Sequence, residues 1–133
     1  ERGLEADIIP LAESEGLGVI PYFSLAKGFL AGKYRSADTA PAADASPRAG
    51  AAITYATPAG LALVDELERI GATHNASIAT TALAWLRAQP TVVAPLASAS
   101  RVEQVADLLA AATLELSTED LSALDAASAS FVG

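Results

Sequence analysis

Six residues suited to holding an anion follow one short apolar run: Ser24, Lys27, Gly28, Gly32, Lys33 and Arg35 come directly after Val19-Ile20-Pro21. The ammonium and guanidinium groups supply charge, the serine supplies a hydroxyl, and the glycines let backbone approach a ligand closely. The chain repeats the arrangement near its other end. There Thr91-Val92-Val93-Ala94-Pro95-Leu96 runs into Ser98, Ser100 and Arg101 at the expected mouth of a helix. Unpaired N–H groups and the helix dipole would add to what those side chains provide. Only eight Lys and Arg are present, and five of them (Lys27, Lys33, Arg35, Arg48 and Arg101) lie in the two segments that follow the apolar runs. In a chain of net charge −8 that clustering predicts a local positive field. The plainer alternative is that exposed loops simply carry charge.

Other residues read as structural. His74, the single histidine, falls in the turn Ile70-Gly71-Ala72-Thr73-His74-Asn75-Ala76-Ser77 and is expected to be solvated there. Trp85 sits with Leu83 and Leu86 on an amphipathic helix and is expected to pack against the core. Glu66, Glu68 and Arg69 form a solvated helix face, and Glu119 with Asp120 reads as helix capping. No metal-ligand cluster or Ser/His/Asp arrangement can be assembled.

The elements that must position these groups follow from composition and pattern. The 133 residues are 52% hydrophobic and about a quarter alanine, which predicts a packed, helix-rich core within one domain or part of a larger one. The acidic balance argues against nucleic acid as a partner, since phosphates call for a basic face. No apolar run is long enough to span a membrane, and no signal peptide opens the chain. With no cysteine, disulfides and thiolate metal sites are excluded, and a cytoplasmic protein is the expectation. The start at Glu1, without Met, suggests a piece of a longer polypeptide.

A helix is expected over residues 7 to about 16, capped by Asp7, with Pro10 in its first turn and Gly16 and Gly18 closing it. A buried strand at 18–22 follows. Residues 36–57, rich in Ala, Ser, Pro and Asp, read as a long surface loop. Thr57-Pro58 opens a helix carrying Leu61, Val64, Leu67 and Ile70 and ending near Gly71. Another runs from Ser77 to the residues before Pro90, a strand spans 91–96, and a helix extends from about Arg101 to Ala112. The last helix begins at Ser117-Thr118-Glu119-Asp120, with Leu121 and Leu124 facing inward. This alternation predicts an α/β fold with parallel strands. Two strands cannot make such a sheet alone, so the chain reads as the C-terminal part of a (β/α)8 barrel. The exposed strand edges would offer a route to self-association.

Four segments together resemble the aldo-keto reductase superfamily: GLGVIPYFSLAKGFLAGKYR at 16–35, ASIATTALAWLRAQP at 76–90, VVAPLASASRVEQVADLL at 92–109 and LELSTEDLSALDAAS at 114–128. The resemblance spans nearly the whole chain and is weakest over 36–57. It implies the last two strand–helix units, plus a C-terminal helix, of a barrel that binds NADP(H) in an extended conformation. Such reductases transfer hydride from the nicotinamide to an aldehyde or ketone. By this resemblance Tyr22 stacks on the nicotinamide. Phe23, Ser24, Leu25 and Lys27 lead to the pyrophosphate, where Gly28 keeps the backbone close. Lys33 matches a lysine near the phosphates and Arg48 a loop arginine folding over them. Ser98, Ser100 and Arg101 surround the 2′-phosphate, with Gln104 a turn later near the adenine or ribose. The family's frequent Glu-Asn pair for adenine appears as Asp107-Leu108, so Asp107 keeps a carboxylate while Leu108 cannot hydrogen-bond a purine. Phe23-Ser24-Leu25 also departs from the family's frequent Ser-Pro.

The family's proton-donor tyrosine and its lysine, aspartate and histidine partners belong to earlier strands. Tyr22, Tyr34, Tyr55 and His74 match none of those motifs, so no catalytic residue is assigned. Three readings stand: the cofactor-binding part of a reductase, a non-catalytic NADP-binding or interaction module, and an inactive fragment.

Overall fold

The computed structural model describes residues 2–35 and 49–131. Helix α1 (Ile8–Ser14) begins where Asp7 Oδ1 accepts the Ile8 N–H at 2.7 Å, and Pro10 falls in the first turn. It ends two residues earlier than expected, and Gly16 at φ +64° turns the chain out of it. Gly18 has a different task from closing the helix. A Cβ there would lie 2.6 Å from Val93 Cγ1, so the missing side chain lets two segments close on each other.

Those segments are the expected strands at 18–22 and 91–96, and neither is a regular strand. A single parallel bridge joins Val19 and Val92. The Val19 N–H donates to the Thr91 carbonyl at 2.8 Å, Val93 N–H to Val19 at 3.1 Å and Leu96 N–H to Pro21 at 2.9 Å. The parallel register is present, but the ladder stops there. Pro21 has no N–H to extend it, and no third strand is present among the described residues to cover either edge. Ile20 and Val93 accordingly stand 59% and 63% exposed, where buried strands were expected.

The core lies instead among helices. Helix α2 (Ala49–Ile53) occupies part of the stretch expected to be loop. Its small residues account for this, since Ala49 and Ala52, with Ala56 just beyond, are buried. Helix α3 (Pro58–Thr73) is capped by Thr57, whose side chain accepts the Gly60 N–H, and buries Leu63, Val64, Leu67 and Ile70. Helix α4 (Ile78–Arg87) is capped by Ser77, which accepts from Thr80 N–H. The buried hydroxyls of Thr80 and Thr81 donate to the Asp107 and Ser77 carbonyls, so neither is left unsatisfied. Helix α5 (Glu103–Ala110) starts two residues after the expected Arg101 and buries no side chain. Helix α6 (Thr118–Ala129) carries a full capping box between Ser117 and Asp120 and buries Leu124, whereas Leu121 is half-buried. Phe29 and Phe131 complete the core, and Phe29, Tyr55 and Phe131 have ring centroids 5.9–6.2 Å apart.

Polar ties bind the helices across long sequence distances. Trp85 packs against the core as expected and also donates its Nε1–H to Asp125 Oδ1 at 3.1 Å. Arg87 donates to the Ala111 and Leu114 carbonyls, fastening the link between α5 and α6. Arg2 Nη1 donates to the Asp125 carbonyl at 2.8 Å and to Ser128 Oγ at 3.1 Å. His74 is not a free turn residue: its Nε2 lies 2.9 Å from Asp120 Oδ2, joining the end of α3 to the start of α6. Burial pushes the Asp120 carboxyl up, but hydrogen bonds from His74 and Ser117 outweigh it and hold the group below its ordinary value. No helix among the described residues is long and apolar enough to cross a membrane.

Candidate functional site

The segment after the first apolar run is bound into a tight, partly left-handed turn. Ser24 is buried and donates its hydroxyl to the Pro21 carbonyl at 2.8 Å, so it braces the turn from within. A 3₁₀ segment, Ala26–Ala31, follows. Ala26, Lys27 and Gly28 take φ values of +46°, +60° and +98°, a conformation that costs energy for the two residues with a Cβ. Gly28 is required for this conformation. Space is not the reason, since a Cβ there would meet only the Tyr34 ring at 3.9 Å. Gly32, at φ +74°, serves both needs, because its Cβ would lie 2.5 Å from Ile78 Cδ1. The turn brings the Lys27 ammonium 5.6 Å from the Phe23 ring centroid and 6.0 Å from that of Tyr55.

This turn forms one wall of a cleft of about 900 Å³, and the stretch from Leu96 into α5 forms the other. Of the residues anticipated in the sequence, Tyr22, Phe23, Ser24, Leu25, Lys27, Gly28, Lys33, Ser98, Ser100, Gln104 and Asp107 all line it. Tyr22 presents an open ring at one end, 68% exposed and 4.1 Å from the Phe23 ring. At the other end the Gln104 carboxamide folds back over the start of α5. Its Oε1 accepts from Ser100 N–H at 2.9 Å, Ser100 Oγ at 3.2 Å and Arg101 N–H at 3.3 Å.

Two basic residues do not meet there as expected. Arg101 is exposed and its side chain does not line the cleft. Arg35 turns away to α3, where it pairs with Asp65 at 2.5 Å and Glu68 at 2.6 Å. Glu68 is therefore not merely solvated, while Glu66 and Arg69 pair with each other at 2.7 Å. Arg48 lies outside the described residues. Among the described residues the positive charge of the cleft thus comes from Lys27 and Lys33. Sequence reasoning missed Tyr34, Ser77 and Ala79 as lining residues. Tyr34 follows Lys33 directly, which is a usable signal; Ser77 and Ala79 reach the cleft only because α4 packs beside it. No group of three or more His, Cys, Asp or Glu among the described residues could hold a metal ion.

Comparison with known proteins gives the family. Residues 2–129 match the Aldo/keto reductase family. An uncharacterised oxidoreductase of Mycobacterium tuberculosis is 38% identical over 127 residues, covering 94% of this chain and 38% of that protein. A Schizosaccharomyces pombe aldo-keto reductase, named for NADP(+), is 27% identical over 113 residues, 85% of this chain and 33% of the relative. Among solved structures, the glycerol dehydrogenase of Gluconobacter oxydans superposes with a TM-score of 0.78 at 30% identity, over 99% of this chain and 40% of that one. The chain belongs to the aldo/keto reductase family. It spans between a third and two fifths of these relatives' lengths, and its fold is that of part of a family barrel.

Proposed function

We propose that the cleft is the NADP(H)-binding part of an aldo-keto reductase, and that the intact enzyme transfers hydride between NADPH and an aldehyde or ketone. One observation carries this reading: residues from two segments far apart in sequence, each assigned a cofactor contact by resemblance, line a single cavity. The S. pombe relative named for NADP(+) adds support.

The residues suit the cofactor from end to end. The open Tyr22 ring offers a flat face for the nicotinamide. Lys27 and Lys33 bring charge to the part of the cleft suited to the pyrophosphate, with Phe23, Ser24, Leu25 and Gly28 shaping the wall. Ser98, Ser100 and the start of α5 would take the 2′-phosphate, with Arg101 closing from outside, and the resemblance adds Arg48, which lies outside the described residues. Gln104 and Asp107 would lie toward the adenosine. When bound, the cofactor supplies the hydride; this chain binds and orients it. In this reading residues 1–133 form the last two strand–helix units and the C-terminal helix of a cytoplasmic enzyme. The proton for the carbonyl oxygen then comes from units outside this chain.

A second reading, a non-catalytic NADP-binding module, is favoured by one observation: no tyrosine or histidine here matches the family's proton donor. Calorimetric titration of the intact protein with NADPH and NADH tests the cofactor assignment. Saturable binding that prefers NADPH is expected, and its absence refutes the assignment. NADPH consumption with a panel of aldehydes and ketones then separates enzyme from module.

A further inference from the structure

Lys33 and Tyr34 line the cleft, and Arg35, the next residue, leaves it for α3. Among the described residues the last backbone hydrogen bond along this stretch runs from the Gly32 N–H to the Phe29 carbonyl at 3.0 Å. Beyond that point the Tyr34 ring packs against the core, 3.9 Å from where a Cβ on Gly28 would lie. The Arg35 guanidinium then spreads across two carboxylates of α3, with Nη1 2.5 Å from Asp65 Oδ1 and Nη2 2.6 Å from Glu68 Oε2. A planar fork that bridges two acceptors fixes direction as well as distance, which a single point charge does not. Helix α3 also buries Leu63, Val64, Leu67 and Ile70, so the anchor is set into the core.

Resting on the NADP(H) reading above, we propose that Arg35 is a positioning residue that acts through Lys33: its clamp on α3 sets where the Lys33 ammonium stands in the cleft. Arg35 itself faces α3 and not the cleft. A lysine ammonium is a compact charge on a flexible four-carbon stem, and its attraction for an anion falls with distance. The backbone that carries it must therefore be fixed if the charge is to meet a phosphate at one place. Without the clamp, the Tyr34 ring is what remains among the described residues to hold 33–35, and the Lys33 charge spreads over a wider volume. Both ion pairs face solvent, so they add little to overall stability. Their effect is local and falls on the anion that the cleft binds.

The test uses the intact protein carrying Arg35→Gln, or Asp65→Asn together with Glu68→Gln, each with and without Lys33→Met, titrated with NADPH while Tm is recorded. Arg35→Gln is expected to weaken NADPH about fivefold, the worth of two exposed ion pairs. A field effect alone predicts opposite signs for the two clamp variants, since losing a cation weakens an anionic ligand and losing two carboxylates tightens it. An anchor predicts one sign. Asp65→Asn with Glu68→Gln should weaken NADPH by a similar factor, with Tm falling by no more than about 3 °C in either variant. On the Lys33→Met background neither change should have a further effect. Unchanged NADPH affinity in Arg35→Gln overturns the proposal. So does unchanged or tighter binding in the carboxylate variant, or the same loss with and without Lys33. Failure of the unaltered protein to bind NADPH is a separate result, which rejects the reading of the cleft before any substitution is made.

Discussion

Substituting Gly18 by alanine tests whether the two cleft walls are held by close backbone approach. The new Cβ would lie 2.6 Å from Val93 Cγ1 and 3.2 Å from Cγ2. Ordinary carbon contacts are about 3.5–4.0 Å, so roughly 1 Å must be found. Val93 supplies only part of it by rotating: turning its Cβ hydrogen toward the new methyl still leaves one methyl near the 3.2 Å position, in a rotamer that a β-branched side chain disfavours. The remainder falls on the two backbones. Overpacking of this kind costs about 1–3 kcal/mol. The hydrogen bonds at risk, Val19 to Thr91, Val93 to Val19 and Leu96 to Pro21, are worth about 1 kcal/mol each. The expected outcome in the intact protein is a Tm lower by roughly 2–5 °C and weaker NADPH binding, since Leu96 and Ser98 shift with the wall. Val93→Ala in the same chain removes both methyls and should restore most of the loss, giving a clear interaction energy in a double-mutant cycle. Gly18→Ala with unchanged Tm and NADPH affinity, or a loss that Val93→Ala leaves intact, refutes the reasoning.

Three further outcomes follow from single sites. Thr91 holds φ +65° with a branched side chain whose buried Oγ1 has no partner among the described residues, so Thr91→Gly should raise stability by about 1 kcal/mol, read as a higher Tm. Gly71→Ala would ordinarily strengthen a helix by about 0.5–1 kcal/mol. Here its Cβ would come within 2.7 Å of the Ala76 carbonyl and 2.8 Å of Thr81 Oγ1, so a lower denaturation midpoint is expected instead. Asp120 is held below its ordinary value in the folded state, so the unfolded chain takes up its proton first. Its contribution is complete above the ordinary carboxylate range and is lost as pH falls through the lowered value. Asp120→Asn should cost about 0.5–2 kcal/mol at neutral pH, and denaturant melts should show that deficit shrinking on acidification.

Helix starts were legible because their chemistry is local. Asp7, Thr57-Pro58, Ser77 and Ser117 each act on an N–H within three residues, and each caps the helix expected of it. The strands were read from apolar runs, but a sheet is made by neighbours, and one parallel bridge is all that two segments sustain here. Neighbouring Pro, Ser and Asp disguised α2, since they mark 36–57 as loop although the alanines at 49, 51 and 52 favour a helix once packing buries them. Partners distant in sequence were illegible for the same reason. Arg35 looked like an anion ligand until α3 placed Asp65 and Glu68 beside it, and His74 looked free until α6 brought Asp120. The cleft was legible where the pattern lay along one segment, as at 22–28. It was not legible where a wall came from packing, as with Ser77 and Ala79.

The tie between Arg2 and α6 has a kinetic consequence. The contact with Ser128 joins residues 126 positions apart. Closing a loop of that length from an open chain costs roughly 4 kcal/mol before any constant is added. Two hydrogen bonds from a guanidinium return at most about 3–6 kcal/mol together, and less for this partly exposed one, which leaves nothing over to order the segments that carry the partners. The contact therefore forms only after α3, α4 and α6 have packed and the ends are already near. It belongs to the native side of the folding barrier. Arg2→Ala should leave the refolding rate almost untouched and appear as faster unfolding, so that the tie governs how long the fold persists once made.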